Sequence, residues 1–159
     1  MGDMLVKLWE LPPLEPALAA AASRGTTIRR AIAPEKPAVL DWMRAHFPAW
    51  EAEVDVAFAR LPVACLIAVR GEALVGFACH DAIAPDFFGP TGVAESARGQ
   101  GIGRTLALAA MHALEAQGYA YAIVGGVGPA VFYEKAFGAV AIAGSEPGLY
   151  RGMLRRPSG

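Results

Sequence analysis

The sequence has little charge, and it contains no long, unbroken apolar stretch. Of its 159 residues 18% are charged, and 14 basic against 15 acidic side chains leave a formal net charge of -1. Such a chain lacks the positive field that holds a nucleic-acid backbone, so we expect no nucleic-acid partner. Pro12 and Pro13 interrupt the N-terminal apolar stretch, and no run of about 18 apolar residues follows it. We therefore expect neither a secretory signal nor a membrane span.

Cysteine is scarce, and residues that bind metals are not clustered. Cys65 and Cys79 both lie in apolar, strand-like runs, where a thiol usually behaves as a small buried hydrophobe. A two-residue turn at Gly71 and Glu72 would place Cys65 opposite Ala78, on the other face of the hairpin from Cys79, which disfavours a disulfide. A reducing, cytoplasmic location fits this pattern. No group of His, Cys or Asp residues has metal-ligand spacing, so no metal is expected.

What the chain does have is enough apolar material for one core. Hydrophobic residues make up 55% of the sequence, and a chain of this length fits a single main domain. Residues 1–26 are predicted to form an N-terminal arm, with an extended segment at 5–9 and a short Ala-rich helix at 16–23 that Gly25 closes. Residues 27–159 are predicted to form the main domain.

The main domain alternates between strand and helix patterns. Apolar and β-branched runs predict strands at 27–33, 64–69, 74–80, 87–93, 119–124, 140–143 and 149–154. Helical spacing of apolar residues predicts helices at 39–47 and 50–58, from 102 up to Gly118, and from 129 up to Gly138. Pro90 and Gly92 predict a bulge in the strand at 87–93. This order indicates an α/β fold in which helices cover both faces of a mixed sheet.

A glycine-rich turn, Arg98-Gly99-Gln100-Gly101-Ile102-Gly103, lies between a predicted strand and a predicted helix. At a helix N-terminus, free backbone N–H groups meet the positive end of the helix dipole, and glycine lets a phosphate approach them. Arg98 and Arg104 add charged donors. The turn lacks the glycine spacing and the lysine of a P-loop, and its late G-x-G-x-G spacing differs from a dinucleotide-binding fingerprint.

Val93, followed by Arg98, Gly101 and Gly103, resembles the acyl-CoA signature Q/R-x-x-G-x-G/A of the GNAT superfamily of N-acetyltransferases. The order of predicted elements agrees, and Val-Phe-Tyr-Glu-Lys at 131–135 resembles the motif on that family's last helix. The resemblance covers about residues 27–154. It implies a mostly antiparallel sheet of about seven strands with helices on both faces, acetyl-CoA as the acyl donor, and it favours a homodimer.

The same resemblance implies how acetyl-CoA would be bound. Backbone amides of the glycine turn would cradle the pyrophosphate, and Arg98 would lie beside it. The backbone of Val93 would contact the pantetheine arm, and its amide would face the thioester oxygen, where attack by an amine builds negative charge. The predicted acetyl-CoA-binding residues are Val93, Arg98, Gly99, Gln100, Gly101, Ile102, Gly103 and Arg104.

The resemblance also implies a proton donor on the last helix. Tyr133 would protonate the departing CoA thiolate. The spacing from Tyr133 to Gly138 is one residue longer than in the family, so Glu134 is the alternative for this position. Gly126 stands where many members have an asparagine, which removes one expected polar contact.

The acceptor side would be built largely by the first two helices of the main domain. The predicted acceptor-binding residues are Phe47, Trp50 and Glu51, with Glu53 and Asp55 nearby. Aromatic rings and carboxylates together suit a cationic amine. The general base is left open among His80, Asp81, Asp86, Glu95 and a chain of water molecules.

The sequence therefore predicts an acetyl-CoA-dependent N-acetyltransferase that transfers an acetyl group to a primary amine, small-molecule or peptide, by direct attack on the thioester. The alternative is a non-catalytic module that binds or senses acyl-CoA.

Overall fold

The computed structural model describes residues 2–158, which form one seven-stranded sheet and five α-helices. The strands are β1 Met4–Lys7, β2 Thr26–Arg30, β3 Cys65–Arg70, β4 Ala73–His80, β5 Phe87–Val93, β6 Tyr121–Val124 and β7 Val140–Ala141. The helices are α1 Leu14–Ser23, α2 Lys36–His46, α3 Glu51–Phe58, α4 Ile102–Ala116 and α5 Ala130–Phe137. No helix within residues 2–158 is long and apolar enough to cross a membrane.

The sheet has the order β2-β3-β4-β5-β6-β1-β7, and each neighbouring pair is antiparallel except β5–β6, which is parallel. The mixed, mostly antiparallel sheet predicted from the sequence is confirmed. Helices also cover both of its faces. Leu106, Ala110 and Leu114 of α4 recur every four residues and are fully buried against one face. Val39 of α2 and Val54 of α3 belong to a second core on the other face.

The N-terminal segment contributes β1, which lies between β6 and the edge strand β7. β1 pairs with β6, where Met4 lies opposite Val124, and with β7, where Met4 lies opposite Ala141. Met4 and Val6 are buried in the core that also contains α4. The strand predicted at 149–154 is wrong, because this stretch begins as a short 3-10 turn and continues without regular structure.

The β3–β4 hairpin has a different register from the one predicted. Ala68 pairs with Gly76 but Val69 pairs with Leu74, so one residue of β4 is extra and forms a bulge. The bulge shifts the rest of the hairpin by one residue and places Cys65 opposite Cys79. The predicted placement of the two thiols on opposite faces is therefore wrong. Both cysteines are buried and unbridged.

A buried polar corner follows β4 and fixes the connection to β5. The Asp81 carboxylate accepts hydrogen bonds from the Asp86 N–H at 2.7 Å and from Gln117 Nε2 at 3.2 Å, and it lies 2.6 Å from His80 Nδ1. Arg30 Nη1 lies 3.2 Å from His80 Nε2. Because arginine only donates, Nε2 must accept, and Nδ1 carries the proton. Burial lowers the pKa of His80, which keeps the ring neutral.

Asp86 is the poorly satisfied member of this corner. Its Oδ1 atom is buried and has no hydrogen-bond partner in the described part of the chain. Burial, with the nearby Asp81 carboxylate, raises the pKa of Asp86 to about 6. Its backbone φ is +68°, a left-handed conformation that asparagine also tolerates. Asparagine can therefore replace Asp86 without its charge and without new backbone strain.

Asp86→Asn should stabilise the protein more at high pH than at low pH. Since the folded-state pKa is raised from 3.8 to about 6, the parent loses stability as the pH rises from about 4 to above 6, and the asparagine variant does not. After allowance for solvent screening we expect a gain of roughly 2–4 °C in Tm near pH 8 and little gain near pH 4.

Asp81→Asn is the matched control. This substitution should destabilise the fold, because the Asp81 carboxylate that it removes accepts hydrogen bonds. Thermal unfolding of both variants across this pH range measures the difference. A gain for Asp86→Asn that is equal at both ends of the range would contradict the raised pKa.

Candidate active site

A cavity of about 590 Å³ lies where β5 and β6 diverge. These two strands pair only at Phe87 with Ile123 and at Phe88 with Val124, so the remainder of β5 has no strand on that side. The wall also includes the chain that follows β6, together with side chains from α3 and α5. Its lining residues are Trp50, Glu53, Ile83, 88–93, Gly103, 124–129, Phe132, Tyr133 and Tyr150.

The open edge of β5 carries unpaired backbone donors. The Ala94 N–H donates to the Val75 carbonyl at 2.8 Å, which continues the ladder to β4. In an antiparallel ladder the N–H groups alternate in direction, so those of Thr91 and Val93 point away from β4 and towards the gap. The register shift beside Gly89 and Pro90 confirms the predicted bulge. The Val93 N–H thus lies on the open edge of β5, where the sequence predicts that it faces the thioester oxygen.

The glycine turn has the backbone shape that its residues require. Gly99 and Gly101 have φ values of +77° and +79°, which side chains rarely adopt. Gly101 directly precedes α4, and the buried side chain of Ile102 anchors the first residue of that helix in the core. Gly103 lines the cavity, where an added Cβ would lie 3.4 Å from Val93 Cγ2. The turn therefore connects the open edge of β5 to the start of α4.

Six successive amides of this turn are unused by the protein. Among the described residues, none of the backbone N–H groups from 99 to 104 donates to an acceptor in the chain. The first amide to do so is that of Thr105, which donates to the Gly101 carbonyl at 3.1 Å. Free amides at the positive end of a 15-residue helix form an anion site that suits a pyrophosphate.

Arginines surround the turn and hold it in place. Arg24 Nη1 donates to the Gln100 carbonyl at 3.2 Å, and Arg70 Nη2 donates to Gln100 Oε1 at 2.6 Å. Arg98 Nε donates to the Val93 carbonyl at 3.1 Å. Arg104, with Arg24 and Arg70, lines a second cavity of about 200 Å³ beside the turn. Arg24 and Arg70 are not predictable as partners of this turn, because no local sequence signal connects such distant residues to it.

Tyr133 reaches the cavity wall and Glu134 does not. The Tyr133 ring packs against Phe88 and Phe132, with centroid distances of 6.0 and 5.0 Å. No hydrogen bond of its hydroxyl is present in the described chain, and burial raises the pKa of Tyr133 to about 12. Glu134 is exposed on another side of α5 and lies outside the cavity. Of the two alternatives, the structure brings Tyr133 to the site.

The three residues predicted to bind the acceptor occupy different positions in the structure. Phe47 packs on β5, where a Cβ atom at Gly92 would lie 2.7 Å from Phe47 Cζ. Trp50 stacks on Phe47 and lines the cavity. Glu51 instead pairs with Arg44 Nη2 at 2.7 Å and does not reach the cavity. Glu53 does reach it, since residues two apart on a helix point in nearly opposite directions.

The side chains considered for the general base lie away from the cavity. His80 and Asp81 form the buried corner described above, and Asp86 joins it. Glu95 lies in a short 3-10 turn after β5 and is exposed. None of these four is part of the cavity lining within residues 2–158.

Comparison with known proteins connects this site to a family. Residues 27–139 match the acetyltransferase (GNAT) family. Comparison with the curated proteins gives no significant match.

The fold is similar to solved structures of low sequence identity. A glucosamine N-acetyltransferase region of a fungal multi-domain beta-N-acetylglucosaminidase has a TM-score of 0.73 at 15% identity, covering 89% of this chain and 19% of that chain. A GCN5-related N-acetyltransferase from Sphaerobacter thermophilus has a TM-score of 0.61 at 18% identity, covering 89% of this chain and 48% of that chain. The chain thus spans between a fifth and a half of the length of these proteins, and the likeness concerns the fold.

The free amides of the turn give a direct test. Gly101→Val should weaken acetyl-CoA binding at least tenfold, because branched carbon would occupy the open space from which a phosphate reaches these amides. The φ of +79° at Gly101 also imposes strain of about 1–2 kcal/mol on any side chain. Isothermal titration calorimetry measures the affinity, and thermal unfolding reports the strain.

Gly118→Val is the control for strain, since Gly118 has a φ of +99° and open space around its Cβ position at the other end of α4. It should lose similar stability and bind acetyl-CoA within twofold of the parent. If Gly101→Val folds and binds as tightly as Gly118→Val, the phosphates lie elsewhere.

Proposed function

The chain belongs to the GNAT acetyltransferase family, and we propose that it transfers the acetyl group of acetyl-CoA to a primary amine by direct attack of the amine on the thioester. One observation supports this most. At the start of α4, six amides have no acceptor within residues 2–158, and Gly103 among them lines the cavity that continues along the free edge of β5 to Tyr133. The site thus provides donors for a pyrophosphate, an apolar slot and a hydroxyl in sequence.

The pyrophosphate of acetyl-CoA binds at the glycine turn and the pantetheine arm in the slot. Arginines around the turn add Coulomb attraction, since Arg98 and Arg104 lie beside it and Arg24 and Arg70 position Gln100. A volume of about 590 Å³ is within the usual range for a small-molecule site. The slot between two diverging strands lets the arm form backbone hydrogen bonds that a closed sheet would not offer.

The edge of β5 stabilises the charge that develops on the thioester oxygen. Attack by the amine nitrogen forms a C–N bond and moves an electron pair to this oxygen, and collapse then breaks the C–S bond. The N–H groups of Thr91 and Val93 point into the gap without partners in the sheet. One fixed donor of this kind lowers a barrier by about 3–4 kcal/mol.

Tyr133 donates a proton to the CoA sulfur as the thiolate leaves. A phenol with a pKa of about 12 remains protonated at every physiological pH, so its hydroxyl is available as a donor. The phenol is a weaker acid than a CoA thiol of pKa about 8.5. Complete transfer of its proton to the sulfur is therefore unfavourable unless the phenol receives another proton in return. The nitrogen loses a proton as the amide forms, and Tyr133 regains one from it. For a neutral amine the net change moves a proton from nitrogen to sulfur, and an amine that binds as an ammonium first releases one further proton to water.

A non-catalytic acyl-CoA module is the second candidate, favoured by one observation. Gly126 offers no polar side chain after β6, and the ring of Tyr150 lies 3.6 Å from its Cβ position. Such a module would bind acetyl-CoA without releasing the CoA thiol to any amine. A thiol-release assay with a panel of primary amines distinguishes the two, and release above background supports transfer.

Tyr133→Phe should lower kcat by roughly 100-fold or more and leave acetyl-CoA affinity within twofold. The substitution deletes a hydroxyl that has no partner in the described chain and keeps the packed ring, so folding should survive. A loss confined to kcat is expected, because a proton given to a leaving group matters in the transition state. Steady-state kinetics with the best acceptor of the panel measures it.

Glu134→Gln, one residue along the same helix and exposed, is the matched control and should remain fully active. A fully active Tyr133→Phe enzyme would remove the catalytic assignment of Tyr133. An inactive Glu134→Gln enzyme would transfer that role to Glu134.

A further inference from the structure

The cavity wall has one charged side chain among the described residues. Glu53 is that residue, and no lysine, arginine or histidine lines the cavity. The other side chains with polar atoms are those of Trp50, Thr91, Tyr133 and Tyr150. Whatever enters the cavity next to the acetyl group therefore meets a single negative charge in an otherwise apolar and aromatic wall.

Glu53 differs from its acidic neighbours because it has no cationic partner among the residues that the structure describes. Arg44 pairs with Asp41 at 2.8 Å and with Glu51 at 2.7 Å, and Lys36 pairs with Asp55 at 2.6 Å. No ion pair or hydrogen bond to Glu53 is present within residues 2–158. A carboxylate left unpaired in a cavity wall attracts a ligand cation.

Aromatic rings complete the surroundings of Glu53. Trp50 lies one helical turn before it and stacks on Phe47 with a centroid distance of 5.3 Å. Tyr150 lies against Gly125, with its hydroxyl 3.3 Å from the Cβ position there. Glu53 and Tyr150 line the same cavity, and burial, then the charges of Asp3 and Glu53, raise the pKa of Tyr150. Aromatic faces beside a carboxylate are the pattern that binds an ammonium group.

Glu53 and Tyr133 belong to opposite sides of the sheet. The buried residues of α3 form the core with α2, whereas Tyr133 of α5 is buried in the core that contains α4. The cavity joins both sides through the gap between β5 and β6. An amine bound at Glu53 thus reaches the edge of β5 from one face of the sheet. Tyr133 and the leaving sulfur lie on the opposite face.

Resting on the proposed function, we propose that the acceptor is a primary amine with an apolar or aromatic body and no carboxylate, and that Glu53 selects it by binding its ammonium group. A free α-amino acid would place its carboxylate in a wall whose only charge is negative. With no cationic side chain there to pair it, that carboxylate is disfavoured by both desolvation and repulsion. The cavity therefore discriminates between amines by the charge beside the nitrogen.

Three ligands of equal ring size separate the contributions to binding. Phenethylamine has only the ammonium, phenylalaninamide adds a neutral amide, and phenylalanine adds a carboxylate. Calorimetric titration into the CoA-loaded protein, near pH 6 where each amine is protonated, should show phenethylamine and phenylalaninamide binding at least tenfold more tightly than phenylalanine. Tighter binding of phenylalaninamide than of phenethylamine would favour a peptide N-terminus over a small amine as the source of this chemistry.

Glu53→Gln keeps the shape of the side chain and removes its charge. It should weaken phenethylamine binding at least tenfold and reduce the discrimination against phenylalanine. Asp41→Asn removes an exposed carboxylate that pairs with Arg44 and should leave both affinities within twofold. Phenylalanine binding as tightly as phenylalaninamide, or an unchanged affinity of Glu53→Gln for phenethylamine, would overturn the proposal.

Thiol release from acetyl-CoA, measured with the same ligands, separates this proposal from the proposed function. Selective binding without thiol release would support the role of Glu53 and contradict acetyl transfer. Thiol release with phenylalanine in preference to phenethylamine would overturn the role of Glu53 and leave acetyl transfer in place.

Discussion

The parting of β5 and β6 is the constraint on which the site depends. Backbone donors and acceptors in a protein are almost always paired, and here the parallel ladder ends after two residue pairs. The open edge of β5 and Gly103 in the first turn of α4 line the same cavity, and Gln100, Gly101, Ile102 and Arg104 line a second one. The fold keeps the N–H groups along β5 and at the start of α4 open because α4 and the chain after β6 are anchored elsewhere, by Ile102 and Val124 in the core. A ligand with a thioester and a pyrophosphate can satisfy both sets.

Local chemistry made the centre of this site predictable. The turn at 98–103 is recognisable because only glycine adopts its positive φ values freely and only a helix start leaves successive amides unbonded. The bulge in β5 follows from Pro90, which cannot donate to a ladder. These features depend on residues within a few positions of one another, which a sequence displays directly.

The remaining features depend on partners that are distant in the sequence. β1 enters the sheet because Met4 and Val6 pair with residues of β6 that are more than 110 positions away. A single extra residue in β4 reverses the expected relation between Cys65 and Cys79. The contact of Arg70 with Gln100 spans 30 residues. Register and pairing are decided by such tertiary contacts, and no local pattern specifies them.

Amide chemical shifts report directly whether the glycine turn binds the pyrophosphate of acetyl-CoA. In a heteronuclear NMR titration with acetyl-CoA, we expect the largest changes at the amides of residues 99–104, where none is hydrogen-bonded within the described chain, followed by Thr91 and Val93. Desulfo-CoA, which has no thioester, should reproduce the shift changes of residues 99–104 and should not produce those of Thr91 and Val93. Saturable binding that leaves the amide shifts of residues 99–104 unchanged would show that the pyrophosphate binds elsewhere.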